Sequence, residues 1–157
     1  MSRIEHSVVV DAPLSTVYNQ WTQFEEFPEF MEGVESVKQM DAKTLHWVAE
    51  VGGKHKEWDA RITEQVPDKV IAWEGFGDAD NMGRVMFQPV DPMKTKIDLA
   101  LEYETEGVVE KVGDTLGVLE RRVEGDLDRF KDLVERRGVE TGAWRGEIHE
   151  GSTGTAG

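Results

Sequence analysis

The sequence predicts an α+β fold in which an antiparallel sheet of about seven strands closes its apolar face on one long C-terminal helix. Three observations predict it. The apolar residues Val112, Leu116, Leu119, Val123, Leu127, Phe130 and Val134 recur at steps of four and three, so on a helix they share a sector of about 80°. Between residues 34 and 103 the pattern is instead one of short alternating runs punctuated by turn residues, as in a meander. Finally, the turn chemistry of two hairpins, read separately, places one apolar set on a single face of the sheet.

In chain order, Ile4, His6, Val8, Val9 and Val10 alternate and then run apolar, which reads as a first strand over Ile4–Val10. Asp11-Ala12-Pro13 stops it, with Asp11 expected to cap a short helix whose first turn holds Pro13 and whose inner face is Leu14, Val17, Tyr18 and Trp21. Phe24, Phe27, Phe30 and Met31 then recur around Pro28, giving a second, broken helical segment that is either a hydrophobic plug or a lid. The meander follows as Val34–Met40, Thr44–Val51, Lys54–Val66, Lys69–Gly75, Gly83–Val90 and Thr95–Tyr103.

Gly52-Gly53 suits a two-residue turn that pairs Val51 with Lys54, Trp47 with Trp58 and Leu45 with Ala60. Pro67-Asp68 suits a turn pairing Val66 with Lys69, Gln65 with Val70, Glu64 with Ile71 and Ile62 with Trp73. Both registers put Leu45, Trp47, Ala49, Val51, Trp58, Ala60, Ile62, Ile71 and Trp73 on the same face, which Val85, Phe87, Ile97, Leu99, Leu101 and Tyr103 extend. The helix is expected over 108–137, about 45 Å long, and Gly138 ends it as a C′ residue. Its steps of 4-3-4-4-3-4 suit a period of 3.6 better than a coiled-coil seam.

Composition narrows the partners. The chain of 157 residues holds 32 acidic and 18 basic residues, a net charge of −14, which repels nucleic acid and anionic membrane surfaces. With no cysteine, neither a disulfide framework nor a thiolate metal site is available, and the cytoplasm is the expected compartment. No apolar run is long enough to insert in a membrane. His6, His46, His55 and His149 lack metal-ligand spacing, so no metal and no cofactor is expected.

The order strand, two short helices, six strands, long helix resembles the START-like (SRPBCC) superfamily with its helix-grip fold, which includes polyketide cyclases and dehydrases and coenzyme Q-binding proteins. The residues that carry the resemblance are Val10-Asp11-Ala12-Pro13 leading into Val17-Tyr18, then Trp21, Phe27-Pro28-Glu29-Phe30-Met31, and Asp126-Leu127-Asp128-Arg129-Phe130-Lys131. The resemblance implies a curved sheet wrapped round the helix, leaving a cavity for a hydrophobic small molecule. Residues 1–138 are thus expected to be a ligand-binding domain, and 139–157 a glycine-rich tail whose last seven residues have almost nothing to bury and are expected to be disordered. Trp144 and Ile148 of that tail dock either on their own domain or on a second copy, and the chain is expected to be a monomer or a homodimer.

The expected site is Phe27, Phe30, Trp47, Trp58, Trp73, Phe87, Leu99, Tyr103 and Leu116. Large rings interleaved with Ala49, Ala60 and Gly75 leave room unevenly; on the residues alone such a face reads as a plain packed core, and it is the resemblance that turns the expectation to a pocket. Gly113 and Gly117 thin the start of the long helix, so an entrance is expected beside the loop Phe76–Met82, close packing of helix on sheet or fraying being the alternatives. The inward polar groups expected are Tyr103 and the indole N–H groups, with no Arg, His or Asp assigned inward. The best dyad, His46 with Asp59, falls on the outward face and reads as a solvated cross-strand ion pair. These features favour a non-catalytic carrier or sensor over a polyketide cyclase or aromatase, which needs inward proton-transfer groups. A partner-binding module without a ligand is the further alternative.

Overall fold

The computed structural model describes residues 2–51, 53–77, 81–103, 112–149 and 152–154; residues 2, 51, 77, 103, 112–119 and 152–154 are described by their backbone alone. The elements are β1 (Ser2–Val10), α1 (Leu14–Trp21), a 3-10 segment (Phe24–Glu29), β2 (Val34–Gln39), β3 (Thr44–Val51), β4 (Lys54–Val66), β5 (Val70–Gly77), β6 (Asn81–Asp91), β7 (Lys94–Tyr103), α2 (Val112–Arg137), β8 (Glu147–His149) and β9 (Ser152–Gly154). The curled antiparallel sheet has the order β1-β7-β6-β5-β4-β3-β2, so the first strand crosses to pair with the last strand of the meander and all other neighbours are hairpins. The helix-grip expectation holds.

The Gly52-Gly53 hairpin has the expected register, with Val51 opposite Lys54, Trp47 opposite Trp58 and Leu45 opposite Ala60. The β4–β5 hairpin has the expected pair of Ile62 with Trp73 but pairs Val66 with Val70 and Gln65 with Ile71, one residue away from expectation near the turn. The reason is local. The Lys69 N–H closes the turn on the Val66 carbonyl at 3.0 Å and Asp68 takes a left-handed φ of 63°, so Lys69 belongs to the loop. A register shift between Ile62 and Glu64 absorbs the extra residue. Without it every side chain beyond would change face; with it, Gln65 turns inward, fully buried, and its Nε2 donates to the Tyr18 hydroxyl at 3.1 Å.

Asp11 does not cap α1: Pro13 holds the cap position with no side-chain cap. Instead the Asp11 N–H donates to Glu135 Oε2 at 2.8 Å, tying the end of β1 to the last turns of α2. The C-terminus of α2 is as expected, since Gly138 has φ +75° and its N–H returns to the Val134 carbonyl at 2.9 Å. The part of the expected helix before Val112 lies outside the described residues.

Trp144 and Ile148 dock on their own domain. β8 pairs with β4, Ile148 standing opposite Gln65, and Ile148 is fully buried in the core. The approach is fastened to α1: the Thr141 N–H donates to Gln20 Oε1 at 3.0 Å, the Trp144 N–H to Thr22 Oγ1 at 3.1 Å, and Arg145 to Asn19 Oδ1 at 2.6 Å. Arg145 also pairs with Asp68 at 2.8 Å and lies over the Tyr18 ring. This strap draws α1 and the β4–β5 turn together.

Candidate functional site on the concave face

The registers decide which side chains look at α2. Leu45, Trp47 and Trp58, then Ala60, Ile62, Trp73, Val85, Leu99 and His6 share the concave face through successive cross-strand pairs. At one end of this face the space is filled. Trp21 meets Phe130 at a ring-centroid distance of 4.8 Å and Phe27 at 5.6 Å, Phe30 meets Phe130 at 5.1 Å, and Tyr18 meets Phe87 at 5.2 Å. All six are buried, and burying each such ring contributes about 2–3 kcal/mol. Burial pushes the Tyr18 phenol up to about 12.

The other end is built differently. Trp47 and Trp58 stack at 5.6 Å with their planes 9° apart, and Phe27 reaches Trp47 at 5.6 Å. Trp73 lies flat on the sheet because the residue across from it, Gly83, has no side chain: a Cβ there would stand 2.3 Å from the indole Cζ2. Its Nε1–H donates to Asn81 Oδ1 at 3.2 Å. Trp47, Trp58, Trp73 and Leu99 all remain half-buried although they face the helix.

The structure therefore divides the expected set. Phe27, Phe30 and Phe87 belong to the filled end, and Trp47, Trp58, Trp73 and Leu99 to the half-open one. The side chains of Tyr103 and Leu116 lie outside the described residues, as do residues 78–80 of the loop Phe76–Met82 expected at the entrance; the backbone of α2 is helical through Gly113 and Gly117. Two open surface depressions, one between Glu29, Arg129 and Asp132 and one between Asp41, Lys43 and Arg61, lie away from this face.

One inward residue was not expected. His6 has the parity of Ile4, Val8 and Val10 and pairs with Leu99; its half-buried ring places Nε2 3.8 Å from Glu124 Oε2 on α2. The signal was the alternation of β1 itself. His46, by contrast, is on the convex face, 2.7 Å from Asp59 and 3.0 Å from Glu57. The Asp59 and then the Glu57 carboxylate hold its proton and raise its pKa, as a solvated ion pair requires.

Three side chains of α2 hold the rim of the concave face. Arg122 donates to the Glu50 carbonyl at 2.8 Å, Arg129 Nε to the Phe30 carbonyl at 2.8 Å, and Asp126 Oδ1 accepts the Glu32 N–H at 2.9 Å. Burial pushes the Asp126 carboxyl up to about 6, against the Glu32 N–H and Arg129, which favour its charged form. Among the described residues no cluster of His, Asp or Glu is placed to hold a metal ion, and no helix is long and apolar enough to cross a membrane.

A curled antiparallel sheet gripping a C-terminal helix, with aromatic side chains lining the gap, defines a protein of the START-like class. Residues 10–131 match the family described as polyketide cyclase/dehydrase and lipid transport, and the chain belongs to that family. It is 50% identical over 149 residues to an uncharacterized 17.2 kDa protein from the melC2-rnhH intergenic region of Streptomyces lincolnensis, covering 94% of this chain and 99% of that one. Its fold is similar to the Zhui aromatase/cyclase from Streptomyces sp. R1128, with a TM-score of 0.75 at 19% identity over 91% of this chain and 99% of that one. It is also similar to a START superfamily protein from Mycobacterium smegmatis, with a TM-score of 0.69 at 16% identity over 86% and 98% of the two chains.

Proposed function

We propose that the protein is a carrier or sensor that binds a hydrophobic small molecule at the half-open end of the concave face. The observation that carries this reading is that Trp47, Trp58 and Trp73 face α2 and yet keep accessible surface, while the rings at the filled end are closed off. Such surface, apolar and concave with few polar groups, is what a small hydrophobic ligand covers. Trp47, Trp58, Trp73 and Leu99 form the wall of the site, and Phe27, whose ring reaches Trp47, borders it from the filled end. Family membership supports the same reading.

Native mass spectrometry of protein purified without denaturation tests it by the mass retained. Added ligand is expected to quench tryptophan fluorescence and to raise the melting temperature with occupancy. If quinones, sterols, fatty acids and polyketides all leave both unchanged, the reading fails and the partner-binding module replaces it.

One observation favours a second reading, a polyketide cyclase. His6 supplies on the concave side an imidazole, a side chain of the type used for proton transfer, beside Glu124 of α2. A cyclase loses turnover in His6→Gln while still binding substrate; a carrier has no turnover to lose.

A further inference from the structure

We propose that Trp47 is the polar anchor of this site, its indole Nε1–H donating a hydrogen bond to an acceptor oxygen, a carbonyl, ether or phenol, carried on the apolar body of the bound molecule. The inference rests on the concave face being a ligand site.

Trp47 Nε1 is enclosed and has no hydrogen-bond partner. A buried donor left unpaired costs about 1–3 kcal/mol, and native structures tolerate few of them. Among the described residues three other enclosed atoms lack partners, Gln20 Nε2, Gln65 Oε1 and Asp68 Oδ1, but each belongs to a side chain whose second polar atom is engaged: Gln20 Oε1 by Thr141, Gln65 Nε2 by Tyr18, Asp68 Oδ2 by Arg145. An indole has one polar atom. Trp47 is therefore the one of the four whose side chain is wholly unsatisfied, and it stands at the half-open end, where the neighbouring indole of Trp73 already has Asn81 as its acceptor.

The ring is also held in place. Trp47 sits in the middle of β3 between its cross-strand partners Val37 and Trp58, stacked on the Trp58 ring and touched by Phe27. Little ordering remains to be done when an acceptor arrives. Because less than 1 Å² of the nitrogen is exposed, the acceptor enters as the surrounding side chains part, and relief of the unpaired donor offsets part of that cost. A hydrocarbon of the same shape gains no such relief, so the site selects an apolar molecule that carries an oxygen.

The test uses two probes of one shape, fluorene and 9-fluorenone, which differ by a single carbonyl. Binding is measured by equilibrium dialysis, so that changing a tryptophan does not change the readout. Trp47→Phe is expected to weaken 9-fluorenone about tenfold while leaving fluorene within about threefold. In the unsubstituted protein, the Trp47 indole N–H resonance is expected to move downfield with 9-fluorenone and not with fluorene, a readout that does not depend on the variant folding. Equal loss of both probes in Trp47→Phe, or an unmoved N–H at saturating 9-fluorenone, overturns the anchor while leaving the ligand site standing. If neither probe binds the unsubstituted protein, the ligand site and the anchor fall together.

Discussion

The two ends of the concave face are both aromatic, yet they differ in kind. At the filled end, rings come from α1, the 3-10 segment, β6 and α2 and interlock edge to face or tilted, Trp21 being in contact with Phe27, Phe30, Phe87 and Phe130. At the half-open end the three indoles all come from the sheet, from β3, β4 and β5, and two of them lie parallel. The lesson is that the number of rings does not separate core from pocket. What separates them is how many elements deliver those rings: four elements converging from different directions bury one another, whereas rings from one sheet alone stay half-buried.

Truncation breaks this comparison most directly. Phe130→Ala at the filled end is expected to cost about 3–5 kcal/mol in chemical denaturation. Trp58→Ala at the half-open end, although it removes a larger side chain, is expected to cost less than half as much and to abolish ligand quenching. Equal losses at the two ends would make the whole face ordinary core.

A smaller effect comes from the rim. Asp126 has its pKa raised from 3.8 to about 6 by burial, so between those values the folded state holds a proton that the unfolded chain has released. The stability it contributes is complete below about pH 4 and lost as pH rises through 6. Asp126→Asn removes the titration. Relative to the unsubstituted protein, the variant is expected to gain on the order of 2 kcal/mol between pH 4 and pH 7, read from denaturant midpoints at each pH. A constant difference across that range would mean that the rim carboxylate is not held out of water.

The smallest effect is expected on the convex face. Asp59→Asn leaves His46 with Glu57, and because the pair is solvent-exposed the change in stability is expected to stay below about 1 kcal/mol. The His46 pKa falls in the variant, which proton NMR of the imidazole reads.

Much of this was legible in the sequence, for reasons that differ by element. The stripe on α2 and the pairing of Trp47 with Trp58 follow from local periods and from a two-glycine turn, and both are visible in a single short window of sequence. The register shift between Ile62 and Glu64 was not, because it depends on whether Lys69 joins the loop or the strand, a choice settled by the left-handed Asp68. The docking of Trp144 and Ile148 was also hidden. It is made by hydrogen bonds to Gln20 on α1 and to Thr22 at its C-terminal cap, partners more than a hundred residues away that leave no local pattern. The division of the candidate site escaped the sequence for the same reason, since Phe30 is closed off by Phe130. His6 showed its parity plainly, but an inward histidine on an edge strand reads like a surface one until the helix beside it is in place.

The parallel indoles of Trp47 and Trp58 have a consequence beyond packing. Two identical chromophores 5.6 Å apart with planes 9° from parallel do not absorb independently; their excited states mix, and in a chiral setting the mixed transitions give a signed pair of bands in circular dichroism. The protein thus carries its own optical gauge at the half-open end of the sheet. A molecule that slid between or tilted those two rings would change the sign or the splitting of the bands, while an event at the filled end, where the aromatic contacts are edge-on or tilted, would leave them as they were.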